Sequence, residues 1–211
     1  MIPHEAWPVD PAVLPAFLAA VALIELTPGP NMTWLAIASA QRGRRAGLAA
    51  VAGVTLGLAA WMLAAAFGLT ELLLAAPSLY QAVRWAGIAF LLWLAWEAWA
   101  SEPGLTEVNG GAGRLFVRGL VGNLLNPKAA AFYAALLPGF IRPDHGAVLT
   151  QALTLGALHL MVAVLIHGLI VLGGAGAGMN LTRTLGSRRL RAVAALGIAA
   201  AAVWMAWQTR G

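Results

Sequence analysis

Two stretches of an otherwise apolar chain hold residues that could do chemistry: Glu25-Leu26-Thr27-Pro28-Gly29-Pro30-Asn31 and Asn123-Leu124-Leu125-Asn126-Pro127-Lys128. Each sets an ionisable side chain within three residues of a proline. Proline donates no backbone hydrogen bond, and its ring clashes with the carbonyl four residues earlier. Pro28 and Pro30 therefore free the carbonyls of Ile24 and Leu26, and Gly29 lets the chain turn. A half-helix restarting after Pro30 would offer free N–H groups to a carboxylate. In the second stretch Pro127 frees the carbonyl of Asn123, and Asn126 is a natural cap for a restarting helix. The plainer reading of both is a proline kink that serves packing. Two prolines flanking a glycine favour a polar cavity, because in hydrocarbon an unsatisfied backbone group costs several kcal/mol.

Lys128 is the odd residue, since a cation at a helix N-terminus opposes the helix dipole. Placed in a bilayer it also costs at least ~2.5 kcal/mol on insertion scales. An anionic companion is expected: Glu25, a substrate carboxylate, or both in turn. A permanent structural ion pair is one reading. The other is a carboxylate that exchanges protons while Lys128 holds substrate. His159 and His167, eight residues apart on one apolar run, read as buried histidines hydrogen-bonded to neighbours. No cysteine or carboxylate motif beside them supports a metal site. Gly53 and Gly57 read as a close helix contact within the chain, with a dimer seam as the alternative. Glu71 and Glu97 read as solvated, and Asp144 and His145 as loop residues.

The elements that must position these residues follow from composition. Of 211 residues, 61% are apolar and 10% charged, and the mean hydropathy is +0.80. A soluble domain carries about a quarter charged residues. Runs of roughly 20 apolar residues match a bilayer core of ~30 Å. Breakers divide the chain into six segments, about 12–38, 46–69, 79–100, 115–140, 150–172 and 189–207. No soluble domain fits between them. The expected fold is an all-α polytopic membrane protein, one transmembrane domain over 1–211. The linker from Ser101 to Arg114 divides it into a first repeat of about 12–100 and a second of about 115–207. Three spans per repeat force the second copy to insert upside down, an arrangement common in secondary transporters. The first helix of each repeat, helices 1 and 4, is the broken one.

Orientation follows the Lys/Arg bias of short loops. Arg42, Arg44, Arg45, Arg114, Arg118, Arg183, Arg188, Arg189 and Arg191 share one side, against Arg84, Arg142 and Arg210 on the other, with Lys128 inside a helix. Both termini are expected away from the cytoplasm. Trp85, Trp99, Trp204 and Trp207 fall near helix ends, where indoles favour the interface. Residues 1–10 carry no Lys or Arg, so the first apolar run is expected to be kept rather than cleaved as a signal peptide.

Other classes fare worse. The net charge of +5 lies in clusters between apolar runs, which suits topology and not nucleic acid. With no cysteine, thiol chemistry is excluded. An intramembrane serine protease needs a Gly-x-Ser-x-Gly elbow. Ser39, Ser78, Ser101 and Ser187 lack that setting, and no His-Glu-x-x-His motif occurs. The chain is expected not to be an enzyme and to need no cofactor or metal. A passive channel or a helper subunit for small solutes stays open beside the carrier.

Three motifs, Pro28-Gly29-Pro30-Asn31, Arg42-Gly43-Arg44-Arg45-Ala46-Gly47 and Asn123-Leu124-Leu125-Asn126-Pro127-Lys128-Ala129, resemble the lysine-exporter family (LysE/RhtB) in order and spacing. The resemblance runs from helix 1 to helix 6. It implies a bacterial inner-membrane exporter of amino acids or their derivatives, driven by the proton gradient and often a homodimer. The lipid bilayer, a small-molecule substrate and protons would be its partners. Two positions depart from the common pattern: Asn31 where many members carry aspartate, and Gly139 where glutamine is common. The first departure shifts the expected proton coupling to Glu25. The site expected for substrate binding and transport is Glu25, Pro28, Gly29, Pro30, Asn31, Asn123, Asn126, Pro127 and Lys128.

Overall fold

The computed structural model describes residues 7–27, 30–100, 108–177 and 187–209, and every regular element among them is helical. After a 3-10 turn capped by Asp10, α1 spans Leu14–Leu26. α2 runs Pro30–Ala75 and is bent at Gly43, whose φ of 78° only glycine adopts without strain. α3 is Pro77–Ala100, α4 Ala112–Leu124 and α5 Pro127–Ala131. A π-helical turn, Phe132–Leu136, and a 3-10 turn, Leu137–Phe140, follow. α6 spans Val148–Ala177 and α7 Arg188–Thr209.

Several expected boundaries change. The run 12–38 divides into two helices after Leu26, because Thr27 before Pro28 takes the extended conformation (ψ 121°) that a following proline imposes. The five-residue connection at 41–45 shrinks to Gly43 alone, so α2 holds the end of the first expected segment and all of the second. The connection Thr70 to Ser78 narrows to Ala76. The run 115–140 divides into α4, α5 and two tighter turns, since Asn126 before Pro127 is again extended (ψ 113°).

α2 packs against α4 and α6, α3 lies on α7, and α1 touches α6 and α7. The crossing of α2 and α4 is set by glycine. A Cβ on Gly53 would strike the Phe116 carbonyl, and one on Gly119 the Ala50 carbonyl. Gly53 and Gly57 thus serve packing within the chain, which lets backbones approach closely. Beside α1, Phe17 meets Phe140 edge-on at 5.1 Å and Phe132 at 6.2 Å, closing the core around the π turn. At one end Arg42 donates to the Val108 carbonyl (2.8 Å) and to Asn109, while Gln41 accepts from the Val108 N–H, which pins the elbow at Gly43. At the other end buried Gln151 takes the Arg142 N–H and donates to the Arg142 and Gly146 carbonyls. Asp144 and His145 lie in that loop.

The outer face is apolar. Leu165, Leu169, Leu172, Trp96, Trp99 and Trp207 are all exposed. Stretches of α2 (Asn31–Gly68) and α6 (Val148–Gly174) are long and apolar enough to cross a membrane. In water, apolar patches of this extent mark a binding or membrane surface.

Candidate functional site

The two helix breaks face each other. At the end of α1 the Thr27 hydroxyl donates to the Leu23 carbonyl (2.6 Å), and the Thr27 N–H reaches the Leu23 and Ile24 carbonyls. Pro28 can supply no further donor, so the Ile24 and Thr27 carbonyls keep capacity. At the second break the Asn126 side chain accepts from the Lys128 N–H (2.9 Å), the N-cap bond expected of it. The Asn123 carbonyl, expected to be free, takes the Asn126 N–H at 3.1 Å.

Lys128 reaches across the gap. Its Nζ donates to the Ile24 carbonyl at 2.5 Å and to the Thr27 carbonyl at 3.3 Å. Glu25 is one of the companions expected for Lys128, but among the described residues no ion pair joins the two. Carbonyls at the C-terminal end of a helix carry its negative dipole end, so they stabilise the cation without a carboxylate. Glu25 pairs instead with α6: Oε1 lies 3.0 Å from His159 Nε2, and Oε2 lies 3.1 Å from His167 Nε2. His159 Nδ1 is 3.0 Å from the Tyr133 hydroxyl, and its ring lies against Phe132 with centroids 3.9 Å apart. Glu25, His159 and His167 are all buried. The expectation of buried, hydrogen-bonded histidines holds, and their partner is the carboxylate on α1.

Between the breaks lies a cavity of about 30 Å³, room for two or so waters. Glu25, Asn31, Asn123, Asn126 and Lys128 line it with His159 and His167, and Met32, Leu58 and Phe132 complete the wall. Asn31 donates to the Asn123 side-chain oxygen at 2.8 Å, which leaves the buried Asn123 Nδ2 without a partner. Of the expected site residues, five therefore meet at one cavity. Pro30 and Pro127 open α2 and α5. Pro28 and Gly29 lie outside the described residues. Gly139 sits buried in the 3-10 turn and does not line the cavity. Tyr133 and the role of the two histidines escaped the sequence reading. The available signal was two ionisable side chains inside one apolar run, which at membrane depth face the bundle interior by default.

A helical bundle with an apolar outer face, and a charged cavity between two broken helices, has the build of a membrane translocator. The LysE type translocator family model matches residues 22–208, and the chain belongs to that family. It is a membrane protein. It is 33% identical to the homoserine/homoserine lactone efflux protein of Salmonella typhimurium over 155 residues, 72% of this chain and 75% of the relative. It is 30% identical over 171 residues to an uncharacterised membrane protein of Pseudomonas aeruginosa, covering 75% and 77%. With the leucine efflux protein of Salmonella typhimurium it shares 35% over 130 residues, covering 59% and 61%. No solved structure matches the chain.

Proposed function

We propose that the chain exports a small amino acid or amino-acid derivative across the bacterial inner membrane, as a secondary transporter coupled to protons. The observation that carries this reading is the polarity of the cavity wall. The wall holds the Lys128 ammonium and the Asn123 amide together with the Glu25 carboxylate. An amino acid has the complementary ends. Its carboxylate would take Lys128 and Asn123, and its ammonium would meet Glu25 or Asn31. The efflux roles named for the relatives point to the same substrate class.

The cavity as it stands is too small for an amino acid. Lys128 must therefore leave the Ile24 and Thr27 carbonyls for the substrate, and α1 and α5 must part. In this reading six spans form two inverted repeats, about 12–100 and 115–207, with the broken helix first in each and both termini outside. The same reading has the protein work as a homodimer. Metal and cofactor play no part in it.

The test is counterflow. Proteoliposomes are preloaded with unlabelled homoserine, leucine, threonine or lysine, and uptake of the labelled compound is followed. Saturable exchange of one class is expected. Flux that never saturates would point to a channel, and no exchange from folded protein would end the amino-acid reading.

A further inference from the structure

The two histidines that hold Glu25 are not equivalent. Both ring nitrogens of His159 are engaged, one by Glu25 and one by the Tyr133 hydroxyl. With the phenol donating to Nδ1, the neutral ring must carry its proton on Nε2 and aim it at the carboxylate. A further proton on this ring requires the Tyr133 hydroxyl to turn round. His167 differs. Its Nε2 lies 3.1 Å from Glu25 Oε2, but its buried Nδ1 has no partner. A proton resting there would be a buried donor with no acceptor, which costs ~1–3 kcal/mol. The neutral ring therefore keeps its proton on Nε2 and leaves the Nδ1 lone pair open, on a side chain that lines the cavity.

Resting on the exporter reading, we propose that His167 receives and returns the coupling proton, while His159 and Tyr133 are positioning residues that hold Glu25 still. The charged and titratable groups around His167 are few. Glu25 comes from α1, Lys128 from α5 and His159 from α6 itself, with Tyr133 behind it on the π turn. To the cavity α2 adds Asn31, Met32 and Leu58, and α4 adds Asn123; none of them titrates. A proton arriving at His167 Nδ1 makes an imidazolium, whose Nε2 proton then passes to Glu25 Oε2. The ring is neutral again, one proton has been taken up, and one negative charge is gone. A substrate ammonium at Glu25 loses its counter-charge and leaves. Reversal returns the proton to Nε2 and releases the one on Nδ1. Proton and substrate thus compete for a single carboxylate.

The test separates rate from coupling. Proteoliposomes one pH unit more acidic inside, with the membrane potential clamped by valinomycin and K+, take up labelled homoserine and leucine. Coupling to one proton sets a steady accumulation of about tenfold, since one pH unit is 1.36 kcal/mol. The wild type and Tyr133→Phe and His159→Gln should approach that ratio, the variants more slowly. His167→Gln and His167→Asn should exchange substrate in counterflow yet accumulate none. In detergent at a pH acidic enough to load the proton onto Glu25 beforehand, homoserine should release protons to a pH dye from the wild type and not from His167→Gln. Tenfold accumulation by either His167 variant that exchanges would overturn the proposal, as would its loss in His159→Gln alone. If both His167 variants fail to exchange, proton release from them in detergent overturns it, and homoserine binding without proton release supports it. A wild type that exchanges but ignores the pH gradient refutes the coupling and leaves the exporter reading standing. A wild type that exchanges nothing refutes both.

Discussion

The two helix breaks share one sequence grammar, a polar residue followed by proline inside an apolar run, yet they end as electrostatic opposites. At the first, the chain stops being helical at Thr27 and leaves the Ile24 and Thr27 carbonyls with spare capacity. At the second, Asn126 and the Asn123 carbonyl close the break locally, and what projects from it is a cation. One break accepts and the other donates. Lys128, which opposes the dipole of its own short helix, is served by the C-terminal end of another. A charge that looks misplaced along the chain can be well placed across it.

Three substitutions test this contrast, in falling order of effect. Lys128→Met removes the donor that joins the breaks and leaves the carbonyls of α1 with nothing to replace it. Hydrogen bonds to a charged group are worth about 1.5–3 kcal/mol, so counterflow should fall roughly 10- to 100-fold. Activity near wild type would mean the bridge is incidental. Asn126→Ala removes only the local cap, worth ~1 kcal/mol, and should lower the melting temperature of detergent-purified protein by about 2–4 °C. Thr27→Val deletes the hydroxyl bond to Leu23. Because the Thr27 N–H still reaches the same carbonyl, the loss should be the smallest, about 0.5 kcal/mol, read in the same melting experiment. A Thr27→Val loss larger than that of Asn126→Ala would mean the first break depends on its side chain more than the second, against the comparison drawn here.

Much of this was legible in the residues themselves. Proline chemistry located both breaks, the residue before Pro127 was the cap it looked like, and the paired glycines marked a close helix contact within the chain, though not that its partner is α4. Glu25 and Lys128 were recognisable as neighbours of one cavity. The partners that Lys128 takes were not, because reasoning from formal charge overlooks backbone carbonyls that a proline leaves idle. Nor could the sequence say that His159 and His167 turn toward α1. Spacing along α6 shows that two residues share a side of the helix, and says nothing of which neighbour covers it. The π turn at Phe132–Leu136, which brings Tyr133 under His159, left no compositional trace. Such turns recur at functional sites in other helices.

The elbow at Gly43 carries a consequence for length. Because a single non-helical residue joins the two limbs of α2, there is no slack between Asn31 at the cavity and Gly53 at the crossing with α4. One residue inserted or deleted on either side would rotate a limb by about 100° and slide it by 1.5 Å. Asn31 would then swing off the cavity, or a side chain would take the place of Gly53 against the Phe116 backbone. The stretch from 31 to 53 is therefore a ruler, and its residue count is as much a part of the site as any side chain on it.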